Sequence, residues 1–134
     1  VRIRSVTGLV LSVLLLAACG SSEDEQRTEA FCEDAPALLE DITAELQEIG
    51  SDPAAAQELL GDAIDRMAEI EPPEDAADEW NRLRTAWGDL GDLFDEADLS
   101  DASANADLAP EAQRLQTELV ESGDAVDEWS TTNC

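Results

Sequence analysis

Chemistry on this chain falls to carboxylates, hydroxyls and three cysteines, because histidine, lysine and tyrosine are all missing from it. Their absence removes the usual general base, the Schiff-base amine and the phenolic acid. A serine or threonine nucleophile has no partner base of the Ser-His-Asp kind. Paired carboxylates can do acid-base work, as in glycosidases, but among 33 acids close pairs arise by chance and no setting marks one out. No GxGxxG, P-loop, HExxH or Gly-x-Ser-x-Gly pattern is present. The expectation is a protein that is not an enzyme and needs no cofactor.

Metal binding has one candidate segment. Asp101, Ser103, Asn105 and Asp107 put oxygen side chains at alternate positions, like the first half of an EF-hand loop, but Ala106 replaces the turn glycine and Ala112 the bidentate glutamate. The segment therefore reads as a polar loop, with no metal site. Trp80, Trp87 and Trp129 offer a sugar- or cation-binding platform on one reading and core packing on the other, and their spacing favours core.

The cysteines carry the sharper signals. Cys19 ends a segment with Arg2 and Arg4 in front, an apolar run over residues 9–16 and small residues Ala17 and Ala18 just before it. That run is too short to span a bilayer, which takes about 20 apolar residues. Leu16-Ala17-Ala18-Cys19, followed by Gly20-Ser21-Ser22, resembles the lipobox of bacterial lipoproteins. The resemblance implies a signal peptide over residues 1–18, cleavage before Cys19, a diacylglyceryl thioether on its sulfur and acylation, such as by palmitate, of the new amino terminus. Several acyl chains anchor firmly, at about 0.8 kcal/mol per buried methylene, where one chain holds only reversibly. With Cys19 lipidated, Cys32 and Cys134 remain as an even pair in an exported chain, which reads as a disulfide.

Charge limits the partners. Removing residues 1–18 takes away Arg2 and Arg4, so five arginines face 33 acids and the formal charge goes from −26 to −28. Such a chain repels nucleic acid and anionic headgroups, so the membrane partner is reached through the lipid on Cys19 alone. The acids are spread along the chain rather than clustered, which favours a surface solvated for high external salt over a sink for cations.

The elements that position these residues follow from apolar spacing. One stripe runs Ala35, Leu38, Ile42, Leu46, Ile49, and a second Ala56, Leu60, Ala63, Met67, Ile70. A third runs Ala76, Trp80, Leu83, Trp87, Leu90, Phe94, Ala97, and a fourth Ala112, Leu115, Leu119, Ser122, Val126, Trp129. Steps of three and four residues predict four amphipathic helices. Asp52-Pro53 opens the second, Pro72-Pro73-Glu74-Asp75 the third and Pro110-Glu111 the fourth, with residues 98–109 a polar loop. Pro36 either kinks a helix that begins near Thr28 or marks a start near Asp34. Gly88 and Gly91 either admit a neighbouring helix closely or mark a distortion beside a cavity.

Domain organisation is a signal peptide over 1–18, lipidated Cys19 with a flexible acidic linker over 19–30, and a helical domain over 31–134. Short connections predict an all-α, antiparallel, up-down-up-down four-helix bundle. That topology brings Cys32 and Cys134 to one end, with Phe31, Trp80 and Trp129 as an aromatic layer at the membrane-proximal pole. Helical spacing of i, i+4 pairs Arg66 with Asp62, Arg82 with Asp78 and Arg114 with Glu118, and sets Arg84 over Trp80.

Phe31-Cys32, Pro72-Pro73-Glu74, Asp78-Glu79-Trp80 and Asn133-Cys134 together resemble small, largely uncharacterised lipoproteins of actinobacteria. That resemblance implies a cell-surface helical domain closed by a terminal disulfide, and transfers no activity. The expected function is an interaction or accessory module of the envelope, on the extracytoplasmic face of the membrane, with an envelope protein as partner. The alternative is a small-ligand or cation binder using an inter-helix cavity near Gly88 and Gly91.

Overall fold

A computed structural model describes residues 22–134, and every regular element among them is helical. The four α-helices are α1 (Glu23–Ile49), α2 (Pro53–Glu69), α3 (Ala77–Glu96) and α4 (Ala109–Asn133). A short 3-10 helix, Ala102–Leu108, precedes α4. The signal peptide expected over 1–18 and Cys19 lie outside the described residues.

The first helix starts earlier than its composition suggests. Ser22 Oγ accepts the Glu25 N–H at 3.2 Å while the Ser22 N–H donates to Glu25 Oε2 at 2.7 Å, a reciprocal capping box. Glu23, Asp24 and Glu25 then sit on the positive end of the helix dipole. Residues 23–30, assigned above to a flexible linker, are therefore helical, and the domain is not bounded at residue 31. They are also docked: Asp24 Oδ1 accepts the Glu74 N–H at 3.1 Å, and Arg27 lies 3.8 Å from Glu71. Small polar composition suits a spacer, but a Ser-x-x-Glu start followed by good helix formers decides the conformation. The helix continues through Pro36, whose missing N–H leaves the Cys32 carbonyl without its usual partner one turn on.

Other boundaries fall close to expectation. Gly50 takes φ +59°, the left-handed conformation that glycine adopts without a Cβ clash, and ends α1. Asp52 Oδ1 accepts the N–H groups of Ala54 and Ala55 at 3.0 and 3.3 Å, and Pro53 occupies the first turn of α2. At α3 the expectation is corrected: Pro73 to Ala76 form a turn, with the Ala76 N–H donating to the Pro73 carbonyl, and the helix begins only at Ala77. Asp78 and Glu79, rather than Glu74 and Asp75, occupy its first turn. Much of the expected 98–109 loop is the 3-10 helix.

The helices pack in chain order. α1 lies on α2, α2 on α3, and α3 most extensively on α4, while α4 meets α1 over a small area. Side chains fix the registers: Arg66 reaches Asp41 and Glu45, Gln57 bonds Asp95, Arg82 bonds Glu118 and Glu121, and Arg114 reaches Asp89. Gly91 is where α2 comes close to α3, for a Cβ there would lie 3.3 Å from Ile64 Cδ1. A Cβ at Gly88 would meet nothing within 4 Å.

Burial is uneven along the long axis. Phe31, Ala35, Leu38, Ile42, Met67, Trp80, Leu83 and Val126 form a buried cluster from the first part of α1, the latter part of α2, the start of α3 and the end of α4, and Leu60, Ala86 and Leu115 extend the buried core toward the other end. Removing an aliphatic or aromatic side chain of this size from water contributes about 1.5–3 kcal/mol. Beyond Ile42 and Leu83 the stripes continue, but Ile49, Leu90 and Phe94 are only partly buried and Leu46 is 42% exposed. Ala54, Gly61, Ala109 and Ala112 are exposed there, while Leu60 and Leu115 stay buried.

Candidate functional site

Cys32, on α1, and Cys134, just past α4, are joined in a disulfide with Cα atoms 5.6 Å apart across a sequence separation of 102. The disulfide expected between the two cysteines left when Cys19 is set aside is present. Phe31 sits beside it, 1% exposed, and meets two indoles edge-to-face: Trp80 at 5.2 Å and Trp129 at 5.4 Å between ring centroids. Each such pair adds about 0.5–1.5 kcal/mol to area burial. The aromatic layer expected at this pole is therefore formed, and Trp80 is core rather than a platform. Trp129 and Trp87 are partly buried and packed against the same cluster.

Neither the Trp80 nor the Trp129 indole N–H has a hydrogen-bond acceptor among the described residues. An aromatic face offers a weak substitute acceptor, and edge-to-face packing is the arrangement that presents one. This pole is dense and lined by apolar atoms. It holds the two ends of the domain together.

The arginines serve the helix seams rather than an anion pocket. Arg66 keeps its expected pair with Asp62, at 3.6 Å, and adds Asp41 and Glu45 of α1. Arg82 does not pair with Asp78; its guanidinium bonds Glu118 at 2.6 Å and Glu121 at 3.1 Å on α4. Arg114 does not pair with Glu118 but with Glu111 at 2.6 Å and Asp89 at 3.5 Å. The i, i+4 rule is local: for Arg82 the facing helix offered the carboxylates, and for Arg114 the i−3 position offered the shorter one. Arg84 lines a shallow α2–α3 groove with Ile64, Asn81 and Thr85, whereas Trp80 is wholly buried.

In the segment reminiscent of a calcium loop, the oxygens are turned on the backbone. Asp98 Oδ1 accepts the Ser100 hydroxyl at 2.6 Å and the Ser100 N–H at 2.9 Å, and Asp101 Oδ1 does the same for Ser103 at 2.5 and 3.0 Å. Asn105 closes the segment, donating to the Asp98 carbonyl at 2.9 Å and accepting its N–H at 2.8 Å. These bonds hold both aspartates below the usual carboxylate range, Ser100 and Ser103 being the main causes. Glu111 and Glu118 are lowered by Arg114 and Arg82 respectively. A general acid needs the opposite displacement, a carboxyl kept protonated near neutral pH. Among the described residues, no three or more Cys, Asp and Glu side chains converge as a metal site.

The far pole has a different character. The end of α3, the 3-10 helix and the start of α4 enclose a groove of about 290 Å³ walled by Leu90, Leu93, Phe94, Ala97, Leu108 and Ala112, with almost no polar surface. Leu93 is shared with an adjoining cleft bordered by Asp89, Asp92, Glu96 and Glu111. Periodicity placed Leu90, Phe94, Ala97 and Ala112 in the core stripes, so sequence reasoning missed this groove. The acids at 89, 92, 95 and 96 lie on the opposite, polar face of the same helix, as on any amphipathic helix, so nothing along the stripe signals that this end stays open.

Set beside protein-family models, curated proteins and solved structures, the chain matches none. Among the described residues no helix is long and apolar enough to cross a membrane.

Proposed function

We propose that this protein is a non-enzymatic lipoprotein displayed on the outer side of a bacterial cytoplasmic membrane, where its helical domain binds an envelope protein. The observation that carries the reading is the Cys32–Cys134 disulfide. A bond closing almost the whole domain belongs to an oxidising compartment, and Cys19 then stands outside it as the sulfur left for lipid.

The reading extends to topology and placement. The four helices run alternately up and down, supported by the registers of Arg66, Gln57, Arg82 and Arg114. The disulfide pole faces the membrane. Glu23 follows Cys19 by four residues, which reach at most about 14 Å when extended. The 27 residues of α1 then carry the far pole roughly 40 Å outward.

Labelling cells with radioactive palmitate tests the anchor. Wild-type protein incorporates label and fractionates with membranes, and Cys19→Ala abolishes the label. Label retained in that variant, or a wild-type protein with free Cys32 and Cys134 thiols in cells, overturns the reading. Crosslinking in intact cells tests the binding role and returns a reproducible protein partner; crosslinks to lipid alone refute it.

A further inference from the structure

We propose that the far-pole groove is the docking site for a basic amphipathic helix of a partner protein, its apolar face in the groove and its Lys or Arg side chains on the acidic rim. The proposal rests on the reading of the chain as an interaction module and names the surface and the partner's chemistry.

Two independent features define the occupant. The walls of Leu90, Leu93, Phe94 and Leu108 are partly buried apolar side chains, so the occupant has an apolar face. The wall from α3 spans residues 90–97, two helical turns or about 11 Å, the repeat over which i, i+3, i+4 and i+7 anchors insert. Charge supplies the second feature. Residues 89–112 contain eight acids and no base. Arg114, the nearest base, is engaged by Glu111 and Asp89, and neither Asp92 nor Glu96 is in an ion pair among the described residues. Opposite charge across a rim favours encounter and selects the partner.

The same charge argues against other occupants. A second copy brings another −28 to the contact, and an anionic membrane is repelled in the same way. A purely basic, disordered chain would leave the apolar walls uncovered. A basic amphipathic helix alone satisfies both surfaces.

The test uses the whole chain, isolated with its disulfide intact and held in zwitterionic nanodiscs, with empty nanodiscs as blank. The probes are an 18-residue Leu/Lys amphipathic helix, its Leu/Glu counterpart, and a Ser/Lys peptide of equal charge, read by fluorescence anisotropy. The Leu/Lys helix binds, more weakly as salt rises, and the other two bind at least tenfold more weakly. Ala112→Arg, on the exposed rim, lowers Leu/Lys affinity at least tenfold, and Asp92→Asn with Glu96→Gln lowers it severalfold and flattens the salt dependence. Val120→Asp, at an apolar position 57% exposed on α4, changes nothing. Equal binding of the Ser/Lys peptide, indifference to Ala112→Arg, or a wild-type dimer in sedimentation dissociated by Ala112→Arg overturns the proposal. Should the probe fail while cellular crosslinks still return a protein partner, the groove is wrong and the interaction role stands. Failure of both removes the role as well.

Discussion

The two ends of this bundle are built from the same kind of stripe and finish differently. At the disulfide pole, Phe31, Trp80 and Met67 are at most 1% exposed and a covalent bond closes α1 onto the end of α4. At the far pole Leu90, Leu93 and Phe94 continue the pattern into a groove that stays open. The difference teaches that periodicity selects which face of a helix turns inward, while the packing of the opposing helices selects how fully that face is covered. The aromatic contacts and the covalent bond lie at one end, and an open apolar groove at the other.

The contrast is sharpest in truncations. Trp80→Ala is expected to cost about 3–5 kcal/mol, the range for a large aromatic removed from a packed core, whereas Phe94→Ala costs less than half of that because its ring is already partly wet. Urea unfolding followed by far-UV circular dichroism compares them, and equal losses would erase the distinction between the poles. Replacing Cys32 and Cys134 together with serine is expected to cost about 2–5 kcal/mol, with the chain-entropy treatment giving about 4.7 for a loop near 100 residues. Tryptophan emission reports where that loss is felt, since Trp80 and Trp129 flank the Phe31 neighbour of Cys32.

Smaller effects test the rest of the comparison. Gly88→Ala is expected to stabilise by up to about 1 kcal/mol through helix propensity, because its Cβ would meet nothing within 4 Å. Gly91→Ala gains less, since Ile64 has to move; a larger gain at Gly91 would mean that α2 and α3 are not in close contact. Asp52→Ala removes the N-cap of α2 and costs about 1 kcal/mol. Smallest is the acid limb. Asp98, Asp101, Glu111 and Glu118 are lowered in the folded chain, so the stability they supply is present above the ordinary carboxylate value and is lost as pH falls below about 4. Glu118→Gln, which leaves Arg82 with Glu121 alone, flattens this limb of the urea midpoint against pH without removing it.

Much of the fold was legible because its causes are local. The Asp52-Pro53 start of α2, the Gly50 stop and the four apolar stripes each act within a few residues. Locality also accounts for the errors. A composition window called residues 23–30 a spacer, while the cap between Ser22 and Glu25 made them helical and Glu74, far along the chain, secured them. Arg82 left its i, i+4 partner for carboxylates on a facing helix, and Arg114 left its own for Glu111 one turn back, with Asp89 across the seam.

Sequence by itself determined that this is an acidic chain lacking histidine, lysine and tyrosine and that its domain is helical, with helix boundaries set mostly by capping side chains, proline and glycine. These are properties of single residues and their near neighbours. Tertiary structure alone decided which end of the bundle is sealed and which lies open, and which acids the arginines hold. Those outcomes depend on volumes and charges that meet across helices, and nothing along one stripe records what stands opposite it.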